Sequence, residues 1–122
     1  MRIAIVATAL MIFAVVVAGS AAEQTATMRG YVLESACAFT KSLDKPVSRA
    51  CALACAKSGS PLVILGDDGN IYWPISGATP AAGQNPRLLK FAGARITASG
   101  KIFQRGGSRA IVIEKIAPDS AK

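Results

Sequence analysis

The feature that most constrains the fold is a series of five strand-like segments, of which the first and the fourth carry a glycine in the middle. The segments span residues 28–34, 61–65, 71–75, 95–105 and 109–116. Turn residues join the second segment to the third at 67–70 and the fourth to the fifth at Gly106-Gly107. Gly30 and Gly100 lack a Cβ, so a strand can bend sharply at these positions. The chain therefore predicts bent strands joined by tight turns.

A short helical segment at residues 86–91 separates the third strand from the fourth. Strand, strand, strand, helix, strand, strand is the order of an OB-fold, a small barrel of five strands. We therefore expect a mostly β protein, a five-stranded OB-like barrel with a short helix between strands 3 and 4. The competing interpretation is an open α+β sandwich in which a helix lies on a β meander.

The segment between the first two strands is an insert that carries all three cysteines, Cys37, Cys51 and Cys55. Residues 35–46, which include Cys37, are predicted to be irregular. Residues 47–58 are rich in alanine and have high helix propensity. Cys51 and Cys55 are four residues apart, so they fall on one face of this helix. The prediction is a Cys-bearing helix inserted between strands 1 and 2.

The first 22 residues have the pattern of an export signal. Met1-Arg2 is a short basic start, residues 3–18 form an unbroken apolar run, and residues 19–22 are small. We expect cleavage after Ala22, a periplasmic or secreted protein, and no stable membrane span after cleavage. The competing interpretation is a retained anchor, although a spanning helix needs about 20 apolar residues. The predicted mature chain has a flexible lead at 23–27, an OB-like domain at 28–117 and a tail at 118–122.

Several runs of this chain resemble a group of small exported bacterial proteins with predicted OB-like domains and a cysteine-bearing insert. The runs are GYVLESAC, RACALAC, PLVIL with DDGNIYW, and the long terminal hairpin from FAGARI to VIEKI. The group is similar in outline to exported members of the tRNA-anticodon-like OB proteins, and the resemblance covers most of residues 29–116. A histidine often stands three positions before the first helical cysteine in the group, where this chain has Ser48. The resemblance implies a fold and a location rather than an activity.

Three interpretations of the cysteines remain open. An oxidising compartment favours a structural disulfide, from Cys37 to Cys51 or Cys55. Three thiolates could instead hold Cu(I), or Zn(II) with one further ligand, with Glu34 as the nearby acid. A redox-active thiol is the third interpretation, although C-x-x-C is the usual oxidoreductase spacing and this helix has C-x-x-x-C.

Positive charge is concentrated in the C-terminal part of the chain. Residues 87–122 carry eight Lys or Arg and two acids, whereas residues 23–86 are balanced. Strand alternation predicts that Trp73 lies in the core and that one outer face forms a binding surface. That predicted face contains Tyr72, Arg95, Lys101, Phe103, Arg105 and Arg109. Such a face could bind an anionic partner.

The residue inventory argues against catalysis. The chain has no histidine, which excludes Ser-His and Cys-His catalysis and metal ligation by His. No paired carboxylates and no nucleophile with a neighbouring base stand out in the sequence. We therefore expect a noncatalytic, exported binding or accessory module, stabilised by a disulfide, that binds a protein or a small ligand without a cofactor. The alternatives are a copper- or zinc-binding or thiol-redox protein and, more weakly, polyanion binding by the basic part.

Overall fold

The computed structural model describes residues 24–42 and 48–120 of the chain, and within these ranges the strands close into a barrel. The strands are β1 (Gln24–Glu34), β2 (Leu62–Gly66), β3 (Ile71–Pro74), β4 (Arg95–Arg105) and β5 (Ser108–Pro118). Their order around the barrel is β1-β2-β3-β5-β4, and β4 pairs with β1. All pairs are antiparallel except β3 with β5, which are parallel. The predicted five-stranded OB-like barrel is confirmed, and the open sandwich is wrong.

Short helices fill the two long connections of the barrel. Between β1 and β2 lie α1 (Ser35–Thr40) and α2 (Arg49–Lys57), and between β3 and β4 lies α3 (Asn85–Leu88) with a following 3-10 turn (Leu89–Phe91). The predicted Cys-bearing helix is α2. Ser48 caps it by accepting a hydrogen bond from the Cys51 backbone N–H at 3.0 Å. The predicted start of this helix at 46–47 lies outside the described residues.

The prediction of an irregular segment from residue 35 onward is wrong at its beginning, where α1 forms. Glu34 starts this helix because its carboxylate accepts hydrogen bonds from the backbone N–H groups of Ala36 at 2.7 Å and Cys37 at 3.0 Å. Ala38 of α1 is buried against Leu33 and Val63 on the outside of the barrel. A carboxylate cap and one apolar contact therefore hold a helix whose intrinsic propensity is low.

Both ends of the predicted domain were placed too far inward. Residues 24–27 of the predicted flexible lead belong to β1, which pairs with β4 from Gln24 opposite Ile102 to Tyr31 opposite Arg95. The predicted tail is partly strand as well, because β5 extends to Pro118. Asp119 follows and donates its backbone N–H to the Arg95 carbonyl oxygen at 3.0 Å. A long β4 supplies hydrogen-bond partners to both extensions, which the local sequence does not show.

The barrel interior holds the main apolar core. Side chains of all five strands meet there, and Leu88 and Phe91 of the α3 segment contribute to the same cluster. Gly30 and Gly100 stand where two strands come too close for a side chain. A Cβ on Gly30 would overlap the Leu65 carbonyl oxygen, and one on Gly100 would overlap that of Val112. The register of β4 against β5 also shifts at Ser99/Gly100, as the predicted bend requires.

Among residues 24–42 and 48–120, no helix is long and apolar enough to cross a membrane. The predicted export signal at residues 1–22 lies outside the described residues.

Candidate functional site

The outer surface of β1, β2 and β3 is apolar. The register places Tyr31 opposite Leu65 and Leu65 opposite Ile71, which forms a row across the three strands. These three side chains and Trp73 are half-buried and pack against the small cluster that α1 covers. Such a partly covered apolar face differs from a strand surface that simply contacts water.

Phe39 of α1 lies at the edge of this face and is 59% exposed. Its ring stacks on Trp73, with centroids 6.3 Å apart and planes 24° from parallel. A cavity of about 340 Å³ opens beside the pair, and we call it the Phe39–Trp73 groove. It is lined by Phe39, Gly69, Asn70, Ile71, Trp73, Gly107, Ser108 and Arg109. The groove therefore brings together the insert, the β2–β3 turn, β3 and the β4–β5 turn.

Trp73 also separates this groove from a second cavity of about 350 Å³. That cavity is lined by Gly59, Pro61, Leu62, Trp73, Pro74, Ile75, Gly83, Gln84, Asn85 and Pro86. Ile75 is, with Phe39, one of two large apolar side chains classed as exposed within the described residues. The apolar surface thus continues on both sides of the indole.

The polar rim of the groove is organised by Asp68. Its carboxylate accepts hydrogen bonds from the Tyr72 hydroxyl at 2.6 Å and from the Asn70 side chain and backbone, both at 3.0 Å. Burial favours a higher pKa for Asp68, but these hydrogen bonds outweigh it and hold the pKa below its usual range. Burial and the bond to Asp68 raise the pKa of Tyr72. Asp68 thereby fixes the turn that carries Asn70.

The predicted outer position of Tyr72 is wrong, because Tyr72 is only 8% exposed and belongs to the barrel core. The predicted core position of Trp73 is also wrong, because Trp73 is half-buried and packs against the outer cluster of Leu33, Ala38 and Val63. Both faces of β3 are apolar, so alternation alone could not show which one points inward. The outer face is apolar because α1 covers part of it.

The other residues of the predicted binding face do not form one surface. Arg109 borders the Phe39–Trp73 groove. Lys101, Phe103 and Arg105 occupy alternate positions of β4, and none of them lines the groove. Arg95 lies over the Tyr31 ring at 5.4 Å and forms ion pairs with Asp67 and with Asp119, the latter at 2.9 Å.

The ion pairs of Arg95 neutralise part of the basic half. The hydrogen bond and charge of Asp67, with those of Asp119, raise the pKa of Arg95, and the Arg95 hydrogen bond lowers the pKa of Asp67. Three other bases, Arg87, Lys90 and Lys115, lie with Glu114 around a shallow depression on another side of the barrel. The positive charge of the C-terminal part is therefore dispersed.

The three cysteines are free thiols, and none of them lies at disulfide distance from another. The predicted structural disulfide is absent, and the structure shows why. Cys51 and Cys55 are one turn apart on α2, a spacing that disfavours disulfide geometry. Cys37 lies on the other helix of the insert, α1. All three side chains are half-buried.

Glu34 is the centre of this thiol region. Glu34 is only 3% exposed, and its carboxylate also accepts hydrogen bonds from the hydroxyls of Ser35 and Ser60. Burial alone would raise the pKa of Glu34, but the bonds from Ser60, Ala36 and Cys37 lower it to about 2. The carboxylate is therefore ionised at neutral pH.

The negative charge of Glu34 affects the thiols beside it. The hydrogen bond to Glu34, together with burial, raises the pKa of Cys37. Burial, with Cys51 and Glu34 nearby, raises the pKa of Cys55. Both groups are therefore neutral thiols at neutral pH, which counts against their use as thiolate nucleophiles.

In the described ranges, no three His, Cys, Asp or Glu side chains are already arranged to hold a metal ion. Sequence reasoning does not identify Phe39 as a member of a site, although it names Glu34 as the acid near the cysteines. The one signal for Phe39 was an aromatic residue in a segment of small and polar residues.

Comparisons of the chain with protein-family models, with curated proteins and with solved structures gave no match.

Proposed function

We propose that the protein is a noncatalytic binding module whose ligand occupies the Phe39–Trp73 groove. The observation that carries the proposal is the exposed ring of Phe39, stacked on Trp73 at the wall of a cavity. A single exposed ring is ordinary, but here it adjoins the half-buried apolar side chains of the outer face, and an exposed apolar patch of this kind marks an interaction site. The position supports the proposal too, because OB-folds bind oligomeric ligands on the face of strands 2 and 3 and beside the turns that flank it.

The chemistry of the groove indicates a ligand with a flat or apolar group next to an anionic one. The two rings offer a stacking surface, and Arg109 supplies a positive charge at the same cavity. Arg105 is exposed, and in the pairing of β4 with β5 it stands opposite Ser108. Ser108 also lines the groove. No group in the groove has the nucleophile and base that catalysis would require, so binding is the function proposed.

Trp73 makes the groove directly measurable, since it is the single tryptophan of the chain. We expect a short single-stranded oligothymidylate, which combines planar rings with negative charge, to change Trp73 fluorescence in a saturable way. Phe39→Ala should weaken this binding about tenfold or more, because stacking one base on an aromatic side chain contributes about 1–3 kcal/mol. Arg109→Ala should reduce the salt dependence of the binding.

Phe103→Ala is the matched control, because Phe103 is an aromatic residue of β4 that does not line the groove. It should leave the affinity unchanged. A neutral oligosaccharide tested in the same way shows whether the anionic group is needed. One result would refute the proposal that the groove is the binding site: an affinity that falls steeply with salt but is equal in Phe39→Ala and the unchanged protein. It would indicate polyanion binding by the basic C-terminal part.

We also infer that the protein acts outside the cytoplasm, in the periplasm or the medium. The basic start, apolar run and small residues of positions 1–22 support this. Intact mass of the exported protein should correspond to a chain that begins at Glu23. A full-length chain found in the membrane fraction would contradict it.

A further inference from the structure

Three apolar side chains on the outer face of β3 form a row that runs from the Phe39–Trp73 groove into the second cavity, and we call it the β3 row. Ile71 lines the groove, Trp73 lines both cavities, and Ile75 lines the second cavity. They occupy alternate positions of an extended chain, so neighbouring members are about 7 Å apart. Ile75 continues the line of β3, because its backbone N–H donates to the Ile111 carbonyl oxygen at 2.9 Å. The two cavities are therefore joined along one strand.

The second cavity is an apolar site with a rigid wall. Pro61, Pro74 and Pro86 contribute their rings to it. The Asn85 amide also lines it, but this amide already bonds to three backbone groups of the protein. None of the described residues that line the cavity is charged, and Ile75 is 39% exposed there. An apolar side chain of a ligand is therefore the group that this cavity can bury.

Positive charge lies at the other end of the β3 row. Arg109 lines the groove, and in the pairing of β3 with β5 it stands opposite Tyr72, three residues before Ile75. Arg109 belongs to none of the ion pairs found among the described residues. Asp68 lies on the same rim, but its carboxylate is engaged by Tyr72 and Asn70. The binding surface is thus cationic at one end and neutral and apolar at the other.

This difference between the two ends favours a peptide over a nucleic acid. A single-stranded nucleic acid carries a phosphate at every nucleotide, so its charges would enter the neutral cavity without a cation to meet them. An extended peptide can carry charge at one position alone. Its alternate side chains also have the spacing of about 7 Å that separates the members of the β3 row. Charge and spacing together therefore match an extended peptide.

We propose that the ligand of the Phe39–Trp73 groove is an extended segment of a partner protein that crosses Trp73 into the second cavity. It places an acidic side chain at Arg109, an aromatic side chain against Phe39 and an apolar side chain beside Ile75. This inference rests on the proposed function, since it names the class of ligand that the groove binds. Side chains provide the recognition, because both edges of β3 are already paired, with β2 and with β5.

The test uses two blocked peptides that differ at one position, acetyl-Asp-Phe-Ser-Leu-amide and acetyl-Asp-Phe-Ser-Ser-amide, each also made in the reverse order. Neither contains tryptophan, so the fluorescence of Trp73, the single tryptophan of the protein, reports their binding. We expect the leucine peptide to bind about tenfold more tightly than the serine peptide in one of the two orders, because its leucine is buried in the second cavity. Ile75→Ser should remove most of this advantage and leave the affinity for the serine peptide unchanged.

Ile116→Ser is the matched control, because Ile116 is a half-buried isoleucine of β5 that lines neither cavity. It should preserve the advantage of the leucine peptide, and circular dichroism checks that both variants are folded. Equal affinity for the two peptides in both orders, or no binding of either, would overturn this inference alone. If Phe39→Ala bound both peptides as tightly as the unchanged protein does, the proposed function itself would be wrong.

Short and long oligothymidylates test the nucleic acid as the alternative occupant. We expect Ile75→Ser to bind each length as tightly as the unchanged protein does, because the phosphates do not enter the second cavity. An affinity that increases with oligothymidylate length in the unchanged protein but not in Ile75→Ser would assign the second cavity to a nucleic acid and overturn the peptide proposal.

Discussion

At the scale of single residues, two acids organise their surroundings through the hydrogen bonds that their carboxylates accept. Glu34 ends β1, starts α1 and fixes Ser60 at the end of the insert, all through one ionised carboxylate. Asp68 does the same for the β2–β3 turn. When an ionised carboxylate accepts hydrogen bonds from the backbone of the folded protein, the stability of the fold depends on pH.

Glu34 should therefore make the protein sensitive to acid. Its pKa is about 2 in the folded chain against an ordinary value of 4.5, so its stabilising contribution is complete above pH 4.5 and is lost as the pH falls toward 2. The shift corresponds to about 3 kcal/mol. Denaturant unfolding in the presence of a chelator, repeated over this pH range, should show the loss. In Glu34→Gln, the free energy of unfolding should change clearly less over the same pH range. An equal change would contradict the assignment of this pH dependence to Glu34.

At the scale of elements, the helices are held by side chains that reach other segments. Asn85 opens α3, and its side chain accepts from the Leu62 backbone N–H at 2.9 Å. The same amide donates to the carbonyl oxygens of Ala56 at 3.2 Å and Ser60 at 2.7 Å. One residue thus joins α3 to the end of α2 and the start of β2.

Asn85→Ala should destabilise the fold by about 2–3 kcal/mol, because it leaves three partly buried backbone groups without their partner. Gln84→Ala is the matched control, since the Gln84 side chain bonds only to the nearby Ala82 carbonyl oxygen. Chemical denaturation of both variants measures the difference. Equal stability of the two would show that the Asn85 bonds contribute little.

The sequence predicts elements well where periodicity and turn residues agree. β4 has the predicted bounds, and the register shift at Ser99/Gly100 lies at one of the two glycines where a bend is predicted. The sequence predicts poorly those elements whose formation depends on a contact with a distant part of the chain. α1 depends on Glu34 as a cap and on contact with the barrel, and neither is encoded in helix propensity. The inward face of β3 depends on what α1 covers.

The candidate groove is another feature that could not be predicted from the sequence. Its lining residues come from four segments between Phe39 and Arg109, and the sequence gives no reason to group them. Arg109 alone was predicted as a binding residue and lies there. The buried state of Glu34 and its hydrogen bond from Ser60 likewise required the fold, since the two residues lie 26 positions apart.

At the scale of the whole molecule, the groove exists only when the barrel is closed. Trp73 of β3 pairs with Ala110 of β5, and Phe39 reaches it from the insert after β1. The fluorescence of Trp73 and the far-ultraviolet circular dichroism should therefore change together in one cooperative unfolding transition. A fluorescence transition at clearly lower denaturant would show that the groove opens before the barrel.

The parallel pairing of β3 with β5 sets an order on how the chain can close during synthesis. The pairing of residues 72–74 with residues 109–111 can form only after the latter have emerged from the ribosome. They emerge after α3 and all of β4. An unfinished chain can form the hairpin of β2 and β3 but has no last strand with which to seal it. The barrel therefore stays open until β5 has been made.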